Sequence, residues 1–156
     1  MKETINVPRY TDSLVYAVKL TDKYTKMLGL QLFANLGLEI SPEELIILDI
    51  VNENPNICQR ELAKLLVKDR ANTGRLLESL EKKNLMERVV DVKNNRLVKR
   101  IALTTLGKET YESVMSKVIP VFNRVYDDFT EEEVEIAKNA LTKLRKNLKT
   151  LVDLQI

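Results

Sequence analysis

The chain has 156 residues, 44% hydrophobic and 31% charged, with 25 Lys+Arg against 23 Asp+Glu. This composition fits one folded domain, or one compact core with dimerising extensions, and excludes a disordered chain. Histidine is absent and Cys58 is the single cysteine, which excludes a disulfide framework, Cys/His zinc sites and histidine-based acid–base catalysis.

No apolar run approaches the ~20 residues of a membrane span, and MKETINVPRYTDS lacks the apolar core of a signal peptide. One cysteine fits a reducing cytosol, so the expected location is cytoplasmic, with no membrane partner. There is no GxxxxGK[ST], GxGxxG or GxSxG. No cofactor, metal or catalytic residue is expected, and an enzyme is disfavoured. The abundance of Leu, Lys and Glu, with four Gly and four Pro, favours helix.

Residues 1–10 read as an irregular arm. A helix is expected from about Thr11–Asp12 to Gly37, with Leu14, Val18, Thr21, Thr25 and Leu28 on one stripe. Ser41-Pro42-Glu43-Glu44 is a second helix start: Ser41 caps, Pro42 takes the first position and Glu44 completes a capping box. This helix stops before Asn54-Pro55 and buries Leu45, Ile47, Leu48 and Val51.

Asn56-Ile57 can form a short extended piece. The next helix covers about 59–67, with Leu62, Ala63, Leu65 and Leu66 on its apolar side. Lys68-Asp69 makes a turn, and Asp69 caps a helix over about 70–83. Thr73, Leu76, Leu77 and Leu80 lie on one side of it, and Asn72, Arg75, Ser79 and Lys82 on the other. An amide, a guanidinium, a hydroxyl and an ammonium are the groups that read base edges and hold phosphates in a major groove. Taken alone, the same pattern also fits a solvated helix face.

Residues 86–91 and 97–103 are short runs rich in β-branched residues around Val92-Lys93-Asn94-Asn95-Arg96. Asn-Asn tolerates φ > 0, so the pattern predicts a hairpin. Residues 58–104 hold 12 Lys+Arg against 6 acids, a +6 module inside a nearly neutral chain. A basic hairpin after a helix-turn-helix is a wing, and its arginine can enter a minor groove.

From Thr104 a long helix is expected to about Asp127, kinked at Pro120. Thr130-Glu131-Glu132-Glu133 starts the last helix with a capping box. Val134, Ala137, Leu141, Leu144, Leu148 and Leu151 follow at spacings of 3, 4, 3, 4 and 3, a heptad seam. A homodimer seam is favoured over an intramolecular core stripe.

The stretch from ISPEELIILDI to IALTTLG, about residues 40–107, resembles the MarR-type winged-helix regulators. The marks are ELAKLL, then TGRLLESLEKKNLMER, then NNR followed by IALTTLG. The family's wing Asp-x-Arg falls on Asn95-Arg96-Leu97, so Arg96 takes the groove contact one position early. Asn84 stands in place of a common Gly.

The resemblance implies a mainly α fold with a small β-hairpin wing, a winged helix-turn-helix flanked by long dimerisation helices. The DNA-binding lobe would cover 38–106, and 1–37 with 107–156 would dimerise, the N- and C-terminal helices intertwined. The expected function is a homodimeric transcriptional regulator, a repressor, on a pseudo-palindromic double-stranded DNA site. A winged-helix module that binds protein instead is the alternative.

Asn72, Thr73 and Arg75 are expected nearest the base edges, with Ser79 on the same reading face. Lys68, Arg70 and Lys82 are expected on phosphates, as are Gln59 and Arg60 at the preceding helix start. Lys93, Asn94, Asn95 and Arg96 would serve the wing. Leu14 and Val18 would join the 134–151 seam in the dimer interface. MarR-like proteins often respond to small phenolic or lipophilic effectors; Tyr10, Tyr16, Tyr24, Tyr111 and Tyr126 are candidate lining residues, with ordinary helix packing the alternative. Cys58 is read as structural.

Overall fold

The computed structural model describes residues 3–152. The chain divides into two compact units, the boundary falling between Pro42 and Glu43.

In the first unit, a 3-10 turn at Tyr10–Asp12 precedes α1, Leu14–Asn35. The cap is Ser13, not Thr11 or Asp12, because those two lie inside the 3-10 turn. Ser13 Oγ accepts from the Tyr16 N–H at 3.1 Å and donates to the Tyr10 carbonyl at 2.6 Å. α1 closes at Gly37, whose φ of 60° suits a residue without Cβ.

The second unit carries α2 (Pro42–Glu53, which begins at the boundary), α3 (Gln59–Leu66), α4 (Arg70–Lys82), β1 (Met86–Lys93), β2 (Arg96–Leu103), α5 (Thr105–Asn123) and α6 (Glu131–Leu151). Ile47, Leu48 and Val51 of α2, Leu62 of α3, Leu77 and Leu80 of α4, and Ile101 of β2 are its most deeply buried apolar residues. Each such burial contributes about 1.5–3 kcal/mol. These residues recur at helical spacing in α2 and α4, so the side of α4 opposite its core stripe is left outward.

The hairpin is antiparallel, from Met86↔Leu103 to Lys93↔Arg96. Its turn is only Asn94-Asn95, with φ of 53° and 59°. Two consecutive positive φ values match the right-handed strand twist of a two-residue hairpin. The strands therefore extend nearer the tip than the apolar pattern alone predicts. The expected extended piece also forms: Ile101 N–H donates to the Ile57 carbonyl at 2.9 Å, and Cys58 bridges to Arg100.

α5 starts against the end of α4. Thr104 Oγ1 accepts from the Gly107 N–H at 2.9 Å and donates to the Asn84 carbonyl at 2.7 Å. A Cβ on Gly107 would lie 1.9 Å from the Leu85 carbonyl oxygen, so only hydrogen fits. Asn84 takes φ 58°, as a residue replacing glycine must. α5 passes through Pro120 and ends at Asn123, earlier than expected, with a 3-10 turn at Arg124–Tyr126. Thr130 and Glu133 form the reciprocal box that starts α6. Among the described residues, no helix is long and apolar enough to cross a membrane.

Candidate nucleic-acid interface

α3 and α4 form the two arms of a helix-turn-helix. The residue ending α3 is Val67, at φ 52° and ψ 41°. Asp69 caps α4, accepting from the Asn72 N–H at 2.7 Å. Its second oxygen accepts from Asn72 Nδ2 at 2.5 Å, and Asn72 Oδ1 in turn accepts from Arg75. The Asn72 N–H bond, then the Asn72 side chain, hold the Asp69 carboxyl below the usual carboxylate range. Asn72 and Arg75 are thus aligned along the outer start of α4, with Arg70 exposed beside them and Lys82 exposed at the far end of the helix.

Thr73 does not belong to that face. It is fully buried, and its hydroxyl donates to the Asp69 carbonyl at 2.9 Å. A buried hydroxyl satisfied by its own helix has no free edge for a base, which removes Thr73 from the expected contacts. Ser79 is also turned inward: half-buried, it donates to Glu44 at 2.6 Å. Glu44 is itself buried and accepts from Lys83 at 2.7 Å. Sequence reasoning gave Glu44 only a capping role, because its partners lie 35 and 39 residues away.

At the start of α3, Gln59 Oε1 accepts from Arg88 at 3.3 Å, and Arg88 also pairs with Glu81. Arg60 is exposed. Lys68 is held by Glu43 at 2.9 Å. At the wing tip Lys93, Asn94, Asn95 and Arg96 are all exposed, and Lys93 approaches Glu61 at 3.7 Å. Arg100 braces the wing instead of extending from it: Nε donates to Asp91 at 2.5 Å and Nη1 to the Asn56 carbonyl at 3.0 Å. The Asp91 bond raises the Arg100 pKa, and the Arg100 bond depresses that of Asp91.

Of the twelve basic side chains in this segment, Lys68, Lys83, Arg88, Lys93 and Arg100 pair with acids. Arg60, Lys64, Arg70, Arg75, Lys82, Arg96 and Lys99 make no ion pair among the described residues. Cys58 caps α3 through its backbone N–H, which donates to Glu61 at 3.1 Å. The Glu61 hydrogen bond and burial push the thiol pKa up, which favours the protonated thiol. Among the described residues no group of acids and Cys could hold a metal.

The remaining expectations fall elsewhere in the chain. Tyr10 stacks edge-on to Tyr16 and Tyr126 to Phe129, while the Tyr111 hydroxyl donates to Asp49 at 2.5 Å. Leu14 and Val18 of α1 are exposed. On α6, Val134, Leu141 and Leu144 are half-buried, and Ala137, Leu148 and Leu151 are exposed.

The MarR family model matches residues 40–98. The crystal structure of the S. aureus MepR–DNA complex has a TM-score of 0.75 and 26% identity, covering 90% of this chain and 99% of that one.

Over its winged helix the chain is similar to the MarR family.

The chain is also similar to the HTH-type transcriptional regulator YybA of Bacillus subtilis (strain 168). The two are 27% identical over 111 residues, 71% of this chain and 73% of the relative. Wild-type E. coli MarR in its apo form shares the fold, with a TM-score of 0.67 at 22% identity over 85% of this chain and 96% of that one. The MarR match ends at residue 98, two residues beyond the start of β2, and so takes in α3, α4 and the wing turn.

Proposed function

We propose that this chain is a sequence-specific, double-stranded DNA-binding transcriptional regulator. The observation that carries this reading is the outer start of α4. Asn72 and Arg75 are pre-aligned there by Asp69, with unpaired Arg70 alongside, unpaired Lys82 at the far end of the helix and Arg96 on the wing. An aligned amide and guanidinium suit base edges, and unpaired cations suit phosphates. The likeness to MepR, crystallised with DNA, supports the same reading.

In this reading Asn72 and Arg75 read bases, and Arg70, Lys82, Arg60 and Lys68 hold phosphates. Gln59 orients Arg88 at the start of α3, and Lys93, Asn94, Asn95 and Arg96 serve the wing. The chain acts as a homodimeric repressor in the cytoplasm, without enzymatic activity. Leu14, Val18 and the α6 seam from Val134 to Leu151 supply the partner surface, and a small phenolic or lipophilic effector releases the DNA. Apolar side chains at heptad spacing on α6, half-buried or exposed and none of them buried, support the dimer.

Selection of bound sequences from random duplex DNA tests this. The expected result is a pseudo-palindrome with half-sites about one helical turn apart. Arg75→Ala should cost about 1–3 kcal/mol on the selected site and much less on random duplex. No enrichment, and no binding at low salt, would overturn the reading in favour of a protein-binding module.

A further inference from the structure

The two faces of the wing differ in chemistry. Side chains alternate along each strand, and the register sets Val92 opposite Leu97 and Val90 opposite Lys99. These four share the face that buries Met86 and Ile101 nearer the lobe. Toward the tip that face is open: Val90 is 64% exposed, Val92 60% and Leu97 77%. The other face carries Asp91, Lys93, Arg96 and Arg100. The distal half of the first face is therefore three aliphatics and one cation, with no acid.

Lys93 and Arg96 flank the two-residue turn, so they form the hydrogen-bonded pair that closes it. Val92 and Leu97 are then the next, non-hydrogen-bonded pair, whose Cα atoms stand only about 4.5 Å apart. The result is a narrow aliphatic pair directly behind a cationic tip. The fold does not explain it, since burial of Met86 and Ile101 already anchors the hairpin.

We propose that Val92 and Leu97 make an apolar contact in the DNA minor groove and favour A·T steps there; this rests on the DNA-binding reading above. Charge selects the occupant: Arg96 at the tip and Lys99 beside Val90 draw a polyanion, and both lack an ion pair among the described residues. The minor groove is about 6 Å wide, which a two-residue tip can enter. Apolar side chains enter the minor groove in other proteins, as wedges at base steps. A G·C pair places an amino group in that floor, which fills the space and leaves a donor uncovered under an aliphatic side chain.

The test uses the full chain and the site it enriches from random duplex DNA, synthesised with A·T or G·C flanks where the wing lands. Wild type should prefer the A·T-flanked duplex by about tenfold. Leu97→Ser should abolish that preference while leaving the slope of log K against log salt unchanged. Arg96→Ala should keep the preference and reduce that slope by about 0.9. Val92→Ser is the second variant; both positions are exposed, and melting by circular dichroism checks that each folds. A preference that survives Leu97→Ser, or wild type showing none, overturns the apolar contact while DNA binding stands. No enrichment of any sequence overturns the DNA-binding reading itself.

Discussion

The carboxylate of Glu44, buried on α2, holds the ammonium of Lys83 just past the end of α4 at 2.7 Å. Ser79 donates to the same carboxylate at 2.6 Å. These bonds from Ser79 and from Lys83, the residue capping α4, to one buried anion fix how that helix is rolled about its axis, and so which residues it turns outward. The two partners are not equivalent. Lys83 keeps a third of its side-chain surface in water, and Glu44 keeps almost none. Removing Lys83 takes the counter-ion from a buried carboxylate that keeps its Ser79 bond, whereas removing Glu44 releases a lysine that water can solvate. Lys83→Met should therefore cost about 3 kcal/mol and Glu44→Gln about 1 kcal/mol. Lys83→Met with Glu44→Leu should recover much of the larger loss. Urea unfolding of the three variants measures this; equal single-mutant losses would contradict it.

Gly107 lies tight against the backbone of Leu85. Any side chain there would meet the Leu85 carbonyl at 1.9 Å, and a carbonyl held in place by the Thr104 N–H at 3.2 Å cannot swing aside. Gly107→Ala should lower stability by at least about 1–3 kcal/mol, the usual range for overpacking. A thermal melt reports it. A melt unchanged from wild type would mean that the start of α5 can slide.

Tyr111 gives a pH signature. Its hydrogen bond to Asp49, and then burial, push the phenol up to about 12 from its ordinary 10. The folded chain thus keeps a proton that the unfolded chain loses. The stabilisation is complete below pH 10 and disappears as pH rises through about 12. Unfolding free energy measured against pH should fall over that window. In Tyr111→Phe the same curve should be flatter, starting from a value lower by about 1 kcal/mol. Parallel curves would show that the bond does not carry this titration.

Much of the helix-turn-helix was legible because its signals are local. Pro42 opens α2, Asp69 caps α4, and the aliphatic spacing of Leu77 and Leu80 names the buried side. The Asn94-Asn95 turn was legible too, since few other residues accept positive φ twice in a row. What the pattern misassigned depends on partners distant in the chain or on rotamer choice. Ser79 has the spacing of a reading residue, yet Glu44 takes its hydroxyl from 35 positions away. Thr73 lies on the apolar side in the spacing itself, and only its expected base contact fails, because its hydroxyl is buried and bonded to its own helix. Arg100 adds to the charge of residues 58–104, yet Asp91 and the Asn56 carbonyl consume it. Charge counting gives composition, and only geometry says which charges are spoken for.

Val67 closes α3 in the left-handed region, at φ 52°. Its N–H meets the Lys64 carbonyl at 3.2 Å, and the next N–H reaches back to Ala63 at 3.1 Å. That geometry normally falls to glycine or asparagine, and costs an L-residue about 1–2 kcal/mol. The bend between α3 and α4 is therefore not encoded in the residue that makes it. It is imposed from outside the turn, by the burial of Leu62 and Ala63 and of Leu77 on the far side. A peptide of residues 58–83, cut from the chain, has no reason to bend at Val67. The spacing of the two helices is thus a property of the assembled lobe and cannot be transplanted as a short segment.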